Sequence, residues 1–97
     1  MPKEANMHQN LGVALYQAGR NNEAIDVFRE TLELAPKNST THIHLGMAYQ
    51  QAGQYLKAVE SFERASELSP QTIDIYKHLA EAYALANQRE KSIAALE

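Results

Sequence analysis

Residues 38–70 read NSTTHIHLGMAYQQAGQYLKAVESFERASELSP, and this stretch decides the fold because the chain on either side of it is a copy. A shift of 34 positions toward the N-terminus superposes identical residues, namely His42, Leu45, Gly46, Ala48, Gln51, Ala52, Gly53, Ala58, Phe62, Glu67, Leu68 and Pro70 on His8, Leu11, Gly12, Ala14, Gln17, Ala18, Gly19, Ala24, Phe28, Glu33, Leu34 and Pro36. The same shift toward the C-terminus superposes His44, Leu45, Ala48, Tyr49 and Ala52 on His78, Leu79, Ala82, Tyr83 and Ala86. A fixed period of this length predicts an array of structural repeats.

Each copy is predicted to hold two helices. In the first, apolar residues from Met7 to Ala18 recur at spacings of three and four, which indicates a helix with one buried stripe. Gly19 and Gly53 suit the left-handed residue that ends a helix. Pro36 and Pro70 stop the second helix of their copies, since the residue before a proline is pushed out of the helical region.

Helix ends add detail to this pattern. Asn21 and Asn38 are candidate helix caps, and for Asn38 the cap is the preferred interpretation over a glycosylation sequon. The third copy is predicted to follow the same plan, with a first helix to Ala86, a turn at Asn87 and a second helix from Arg89. The resulting division is a lead-in at 1–4, repeats at 5–38 and 39–72, and a truncated repeat at 73–97.

Composition excludes several classes of function. The chain has 97 residues, a formal net charge of −3 and no cysteine, so disulfides, thiolate metal sites and thiol catalysis are ruled out. A sequence pI near 5.8 argues against a nucleic-acid partner, which a basic surface usually meets. No apolar run reaches membrane length and no signal peptide is present, so we expect no membrane contact and a cytoplasmic location.

The repeated positions resemble those of the tetratricopeptide repeat family, whose units have the length of this period. The resemblance implies an all-α, right-handed superhelical array in which one set of residues packs the repeats together. In this chain that set is Leu11, Gly12, Ala24, Phe28, Pro36, Leu45, Gly46, Tyr49, Ala58, Phe62, Pro70, Leu79, Ala80 and Tyr83. The family's bulky apolar fourth position departs here to His8, His42 and Tyr76.

The resemblance also implies a concave groove, lined by the first helix of each repeat, that binds a peptide segment of a protein partner. The matching positions are Asn6, Gln9, Asn10, Val13, Tyr16 and Gln17 in the first repeat, Thr40, Ile43, His44, Met47, Gln50 and Gln51 in the second, and Asp74, Lys77, His78, Glu81, Ala84 and Leu85 in the third. The amides suit a peptide backbone, while Tyr16, Ile43 and Met47 supply apolar contacts. The cationic clamp with which some members bind chaperone carboxylates is missing, since its positions are Gln9, Val13, His44, Asp74 and His78.

Metal binding and catalysis have little support. His8 and His42 are separated by one repeat period, as are His44 and His78, but no third ligand can be named, so we expect packing or groove roles, no metal and no cofactor. No serine has a catalytic context, so no enzyme activity is predicted. The acidic residues of the second helices alternate with Arg29 and Arg64 at helical spacings, which is typical of a solvated face: Glu23, Asp26, Glu30, Glu33, Glu60, Glu63 and Glu67.

The sequence therefore predicts a protein-interaction module. The alternative is a structural spacer or a stacking, self-associating segment of a longer repeat scaffold. In that case the truncated C-terminal face would be the adhesive surface, through Ala82, Ile93, Ala94 and Leu96.

Overall fold

The computed structural model describes residues 3–96, and side chains for residues 3–87. Within these residues the chain forms five helices and no strand. They are α1 (Lys3–Gln17), α2 (Asn21–Leu34), α3 (Ser39–Gln51), α4 (Tyr55–Leu68) and α5 (Ile73–Leu96). Each helix packs against the next, and α1 also contacts α3. This is the all-α helical-repeat array that the period of the sequence predicts.

The two tight hairpin turns depend on glycine. Gly19 and Gly53 both have φ = +79°, in the left-handed region that other residues adopt at a cost. The amide that follows each glycine closes the turn, with Arg20 N–H donating to the Leu15 carbonyl at 2.9 Å and Gln54 N–H to that of Tyr49 at 2.8 Å. The chain therefore reverses direction within the turn, and the paired helices lie antiparallel.

Helix starts follow the sequence only in part. The Asn38 side chain accepts a hydrogen bond from Thr41 N–H at 3.3 Å, which confirms the predicted cap of α3. The predicted Asn21 cap is wrong, because Arg20 is the N-cap of α2 and makes no side-chain cap bond. The turn closes so quickly after Gly19 that Asn21 is already helical. Similarly, α1 includes Lys3 and Glu4, which the sequence assigns to the lead-in.

The core consists of two clusters, each at the junction of consecutive repeats. One joins α2 to α3 through Ala24, Ile25, Phe28, Leu45 and Ala48. The other joins α4 to α5 and contains Ala58, Val59, Phe62, Ala65, Ile75, Leu79 and Ala82. Phe28 and Phe62 are fully buried and dominate their clusters by volume. Burial of apolar area of this kind supplies most of the favourable free energy of folding.

Two glycines let the helices of each hairpin approach closely. A Cβ atom at Gly12 would lie 2.5 Å from Phe28 Cε1, and one at Gly46 would lie 2.6 Å from Phe62 Cε1. Both distances are far below van der Waals contact, so no larger residue fits without movement of the buried ring. The family resemblance places both glycines among the residues that pack the repeats together.

The third repeat differs from its prediction. Helix α5 runs without a break from Ile73 to Leu96, so the turn at Asn87 is not formed and no separate helix begins at Arg89. No glycine occupies position 87, and an asparagine can remain helical where a turn would need positive φ. Ala82 is also buried in the α4–α5 cluster, so it does not belong to an exposed C-terminal face. The side chains of Ile93, Ala94 and Leu96 lie outside the described residues.

Members of the expected packing set fall into two groups. The buried ones are Gly12, Ala24, Phe28, Leu45, Gly46, Ala58, Phe62 and Leu79, and Tyr49 is half-buried. Leu11, Ala80 and Tyr83 are exposed, whereas the helix-ending Pro36 and Pro70 lie at the ends of their repeats. No described helix precedes α1 to cover Leu11. Ala80 and Tyr83 are exposed because α5 does not fold back, so no described helix crosses them as α4 crosses Gly46.

Candidate functional site

A pocket of about 400 Å³ opens on the side of the array formed by α1, α3 and α5. Its lining is drawn from four helices and comprises Tyr16, Met47, Gln50, Gln51, Tyr55, His78, Glu81 and Leu85. All but Tyr55 are positions that the family resemblance assigns to the groove. Tyr55 is the first residue of α4, and sequence reasoning missed it because it treated second helices as the outer face. The pocket is mixed in character, with aromatic and aliphatic walls, two amides and one carboxylate.

The remaining groove positions lie along the same helices but outside this pocket. Gln9, Val13, Ile43 and His44 are half-buried, while Gln17, Asp74 and Lys77 are exposed. The apolar side chains among them contribute to the core, since Val13 packs on the α2–α3 cluster and Ile43 on the α4–α5 cluster. Met47 and Tyr16 pack on these clusters too, so the pocket floor is part of the folded core.

Two groove histidines are stacked on the buried phenylalanines. His44 lies on Phe28 with ring centroids 5.7 Å apart and an interplanar angle of 17°. His78 lies on Phe62 at 5.1 Å and 11°. Each stack continues the contact of the phenylalanine with the glycine of the first helix, so glycine, phenylalanine and histidine form a layer that recurs in successive repeats. Burial lowers the pKa of the His44 imidazole below its ordinary value of 6.5, because desolvation disfavours the charged form.

Some groove amides hold the repeats together. Thr41 Oγ1 donates to Gln9 Oε1 at 2.9 Å, which joins α3 to α1. Gln51 Nε2 donates to the Tyr16 carbonyl at 3.2 Å and also contacts Asn21 Oδ1. Gln51 therefore fastens the end of α3 to the preceding hairpin. In contrast, Gln50 Oε1 and His44 Nδ1 are buried and have no hydrogen-bond partner among the residues that the structure describes.

The fourth-position residues bind the loop before their own helix. His42 Nε2 donates to the Pro36 carbonyl at 3.0 Å, and the Tyr76 hydroxyl donates to the Pro70 carbonyl at 2.6 Å. These two bonds occupy equivalent places in consecutive repeats, so a donor at this position is a repeated feature of the array. His8 instead lies near the Glu4 carbonyl and 3.6 Å from Glu30. The sequence alone showed the departure at this position without showing its use.

The opposite surface is highly charged. All seven carboxylates that the sequence assigns to a solvated face lie on α2 and α4, and all of them are exposed, as are Arg29 and Arg64. Arg64 pairs with Glu67 at 3.0 Å. A shallow cavity of about 610 Å³ lies between α2, α3 and α4 on this side. Its lining comprises Arg29, Leu32, Glu33, His42, Leu45, Tyr49, Lys57, Glu60, Ser61 and Arg64, so it combines both charges in a wide depression.

The part of the chain that the structure describes offers no metal centre. There, histidine, aspartate and glutamate side chains nowhere gather in a group of three that could hold a metal ion. None of the helices in the described residues combines the length and apolar character that crossing a membrane requires.

The helical hairpins, their regular period and the glycine–phenylalanine layer define a tetratricopeptide repeat protein. Residues 3–95 match the family described as "Psidin, N-terminal TPR repeats region", and the chain belongs to this family. Such membership makes the chain a protein–protein interaction module in general terms. Curated proteins, by contrast, give no significant match.

Solved structures of MamA have the same fold. A point mutant of MamA is 22% identical with a TM-score of 0.80, and the alignment covers 96% of this chain and 68% of MamA. MamA from Desulfovibrio magneticus RS-1, residues 41 to the end, is 22% identical with a TM-score of 0.83 and coverages of 96% and 52%. The chain thus spans about two thirds of the first structure and about half of the second. At this identity the likeness concerns the fold alone.

Proposed function

We propose that the chain binds an extended peptide segment of a protein partner in the groove lined by α1, α3 and α5. The observation that carries this proposal is the pocket bounded by Tyr16, Met47, Tyr55 and Leu85, which draws apolar walls from four helices. A volume of about 400 Å³ suits one large side chain and its flanking backbone. Binding rather than catalysis is the function that this lining supports.

The chemistry of the lining narrows the ligand. Glu81 is the one residue with a formal charge among those that line the pocket, so an acidic segment is disfavoured. Met47 is flexible and polarisable, which suits an irregular apolar side chain. Gln50 provides an amide beside this wall. We therefore propose an uncharged segment with one aliphatic or aromatic anchor, bound with a dissociation constant on the order of micromolar.

A random peptide library selected against the whole chain tests the proposal. Peptides that are enriched should bind at least about tenfold more weakly to Glu81→Arg, which places a bulky opposite charge at the exposed rim of the pocket. Glu60→Arg is the matched control, because it makes the same charge change beside the shallow cavity between α2, α3 and α4, which we call the outer cavity. Should Glu60→Arg abolish binding and Glu81→Arg leave it unchanged, the outer cavity is the binding surface.

The second candidate is a scaffold role in which the chain stacks against other protein surfaces and its groove remains empty. The exposed apolar side chains of α1 favour this alternative. Failure of any library peptide to bind above background, while the chain self-associates, would support this alternative against the groove.

A further inference from the structure

One face of α1 is apolar and exposed, although its copies are buried. The face consists of Met7, Leu11 and Ala14 of α1 together with Ala18, the first residue after the helix, and we call it the α1 stripe. Met7 is 63% exposed and Leu11 52% exposed. The sequence predicts that this stripe is buried, and here the structure differs.

The two later copies of the stripe show what such a face does in this protein. In the second repeat it is Thr41, Leu45, Ala48 and Ala52, and in the third it is Ile75, Leu79, Ala82 and Ala86. All are buried except Ala52, which is half-buried. Helix α2 covers the first copy and helix α4 covers the second. The stripe is thus a helix-packing surface that lacks its helix within the described chain.

The composition of α1 suits burial of this face. No aspartate, glutamate, lysine or arginine occurs between Ala5 and Gly19, whereas α2 exposes Glu23, Asp26, Arg29 and others. An exposed helix normally carries charged side chains on its solvent face. The interior helix α3 is also free of these residues. In composition, α1 resembles an interior helix.

The spacing of the stripe suits a second copy of itself. Residues 7, 11, 14 and 18 are separated by four, three and four positions, which is the a/d spacing of a two-helix seam. If two α1 helices run antiparallel about a two-fold axis, Met7 meets Ala18 of the other copy and Leu11 meets its Ala14. Every layer then contains one large and one small side chain. A parallel pair would place Met7 on Met7 at one end and alanine on alanine at the other.

The helix faces that cover the two later copies of the stripe are already occupied in a second copy of the chain. The faces of α2 and α4 that could cover the stripe are buried against α3 and α5 within the same chain. The stripe also lies on a different face of α1 from the groove residues Gln9, Val13 and Tyr16, so association does not block the groove. We propose that the α1 stripe binds the α1 stripe of a second copy of this chain, antiparallel and across a two-fold axis.

Sedimentation equilibrium from low micromolar to submillimolar concentration is the first test. The wild type should dimerise, and Leu11→Glu should weaken dimerisation at least about tenfold, since each dimer contains the substitution twice. Leu11 is exposed in the single chain, so the melting temperature at the lowest concentration should not change. Leu56→Glu is the matched control, because Leu56 is 62% exposed on α4, away from the stripe.

Disulfide trapping determines the orientation, and the absence of native cysteine keeps it unambiguous. Met7→Cys and Ala18→Cys chains of different mass are mixed and oxidised. The antiparallel dimer should give mainly the disulfide that joins a Met7→Cys chain to an Ala18→Cys chain. In the control, Met7→Cys is mixed with Asp26→Cys, and the mixed disulfide should form only in its statistical share. A monomer at every concentration, dimers that Leu11→Glu leaves intact, or homodisulfides in excess would each overturn the proposal. The result does not depend on peptide binding in the groove.

Discussion

The two hairpins and helix α5 share the repeat pattern, but α5 lacks both glycines of the hairpins. Gly12 and Gly46, which face the buried phenylalanines, correspond to Ala80 in α5, and the turn residues Gly19 and Gly53 correspond to Asn87. Ala80 is exposed, and Asn87 lies inside a continuous helix. The comparison shows that a hairpin of this array needs room for the crossing ring and a residue that accepts positive φ. Where both are replaced, the chain remains helical.

The largest effect on stability should come from a side chain added at Gly46, where α3 and α4 approach closely. Gly46→Val should lower the free energy of unfolding by about 3 kcal/mol, because the added side chain overlaps the Phe62 ring, which is fully buried. Urea titration followed by circular dichroism measures the change. Ala80→Val introduces the same residue at the corresponding exposed position of α5 and should cost less than about 1 kcal/mol. Equal losses would show that the crossing is not tightly packed.

The turn position should show opposite signs in the two regions. Gly53→Ala should cost about 1–2 kcal/mol, since φ = +79° strains any residue with a Cβ atom even where nothing else lies within 4 Å. Asn87→Ala should instead stabilise α5 by about 0.5 kcal/mol, because alanine has the higher helix propensity. Thermal and urea unfolding of both variants measure the two changes. A loss at Asn87→Ala would indicate a turn or cap there.

A smaller effect is expected where the end of α3 is fastened to the preceding hairpin. Gln51→Ala removes the hydrogen bonds to the Tyr16 carbonyl and to Asn21, and should cost about 1 kcal/mol. Gln17 is the same residue one repeat earlier and is exposed, so Gln17→Ala should change stability by less than about 0.5 kcal/mol. Indistinguishable unfolding curves would mean that the fastening does not contribute. The position corresponds to Leu85 in α5, which has no amide.

The smallest effect concerns pH. The pKa of His44 is lowered by burial, so the unfolded chain takes up the proton first when pH falls below 6.5. The free energy of unfolding should therefore decrease as pH falls from 6.5 toward the lower folded-state pKa, and should be independent of this group above 6.5. Urea titrations at several pH values give the free energy of unfolding as a function of pH, and this free energy should depend less on pH in His44→Gln. An unchanged pH dependence would exclude His44 as its cause. A decrease in the free energy of unfolding that is the same at every pH would instead report the loss of the stack on Phe28.

The sequence was sufficient for the parts of the fold that depend on local chemistry. Glycine at positions 19 and 53 and proline at 36 and 70 define where helices end, and the repeat period defines which residues face each other. The same period misled at α5, because the alignment transferred a turn to Asn87 although the residue that permits it was missing. The identity of the turn residue therefore predicts whether a hairpin forms better than the apolar spacing of the flanking helices does.

The candidate site was less accessible to sequence reasoning. The groove positions came from the family resemblance, and the pocket gathers Met47, Gln50, Gln51 and their neighbours at one place along it. That Gln51 is used to join repeats, or that His44 stacks on Phe28, depends on contacts between residues far apart in sequence. The exposure of Leu11 was missed for a related reason, since a pattern shows that a face is apolar without showing what covers it.

The histidine–phenylalanine stacks also provide a built-in spectroscopic probe. An aromatic ring current shields protons held above its plane, so the imidazole protons of His44 and His78 should resonate upfield of those of His8 and His42. His78 has the shorter centroid distance and the smaller angle, and should show the greater shift. Because His78 also lines the pocket, its signal should shift when a peptide binds there. Two imidazole resonances can thus follow a titration in unlabelled protein, one inside the pocket and one beside it.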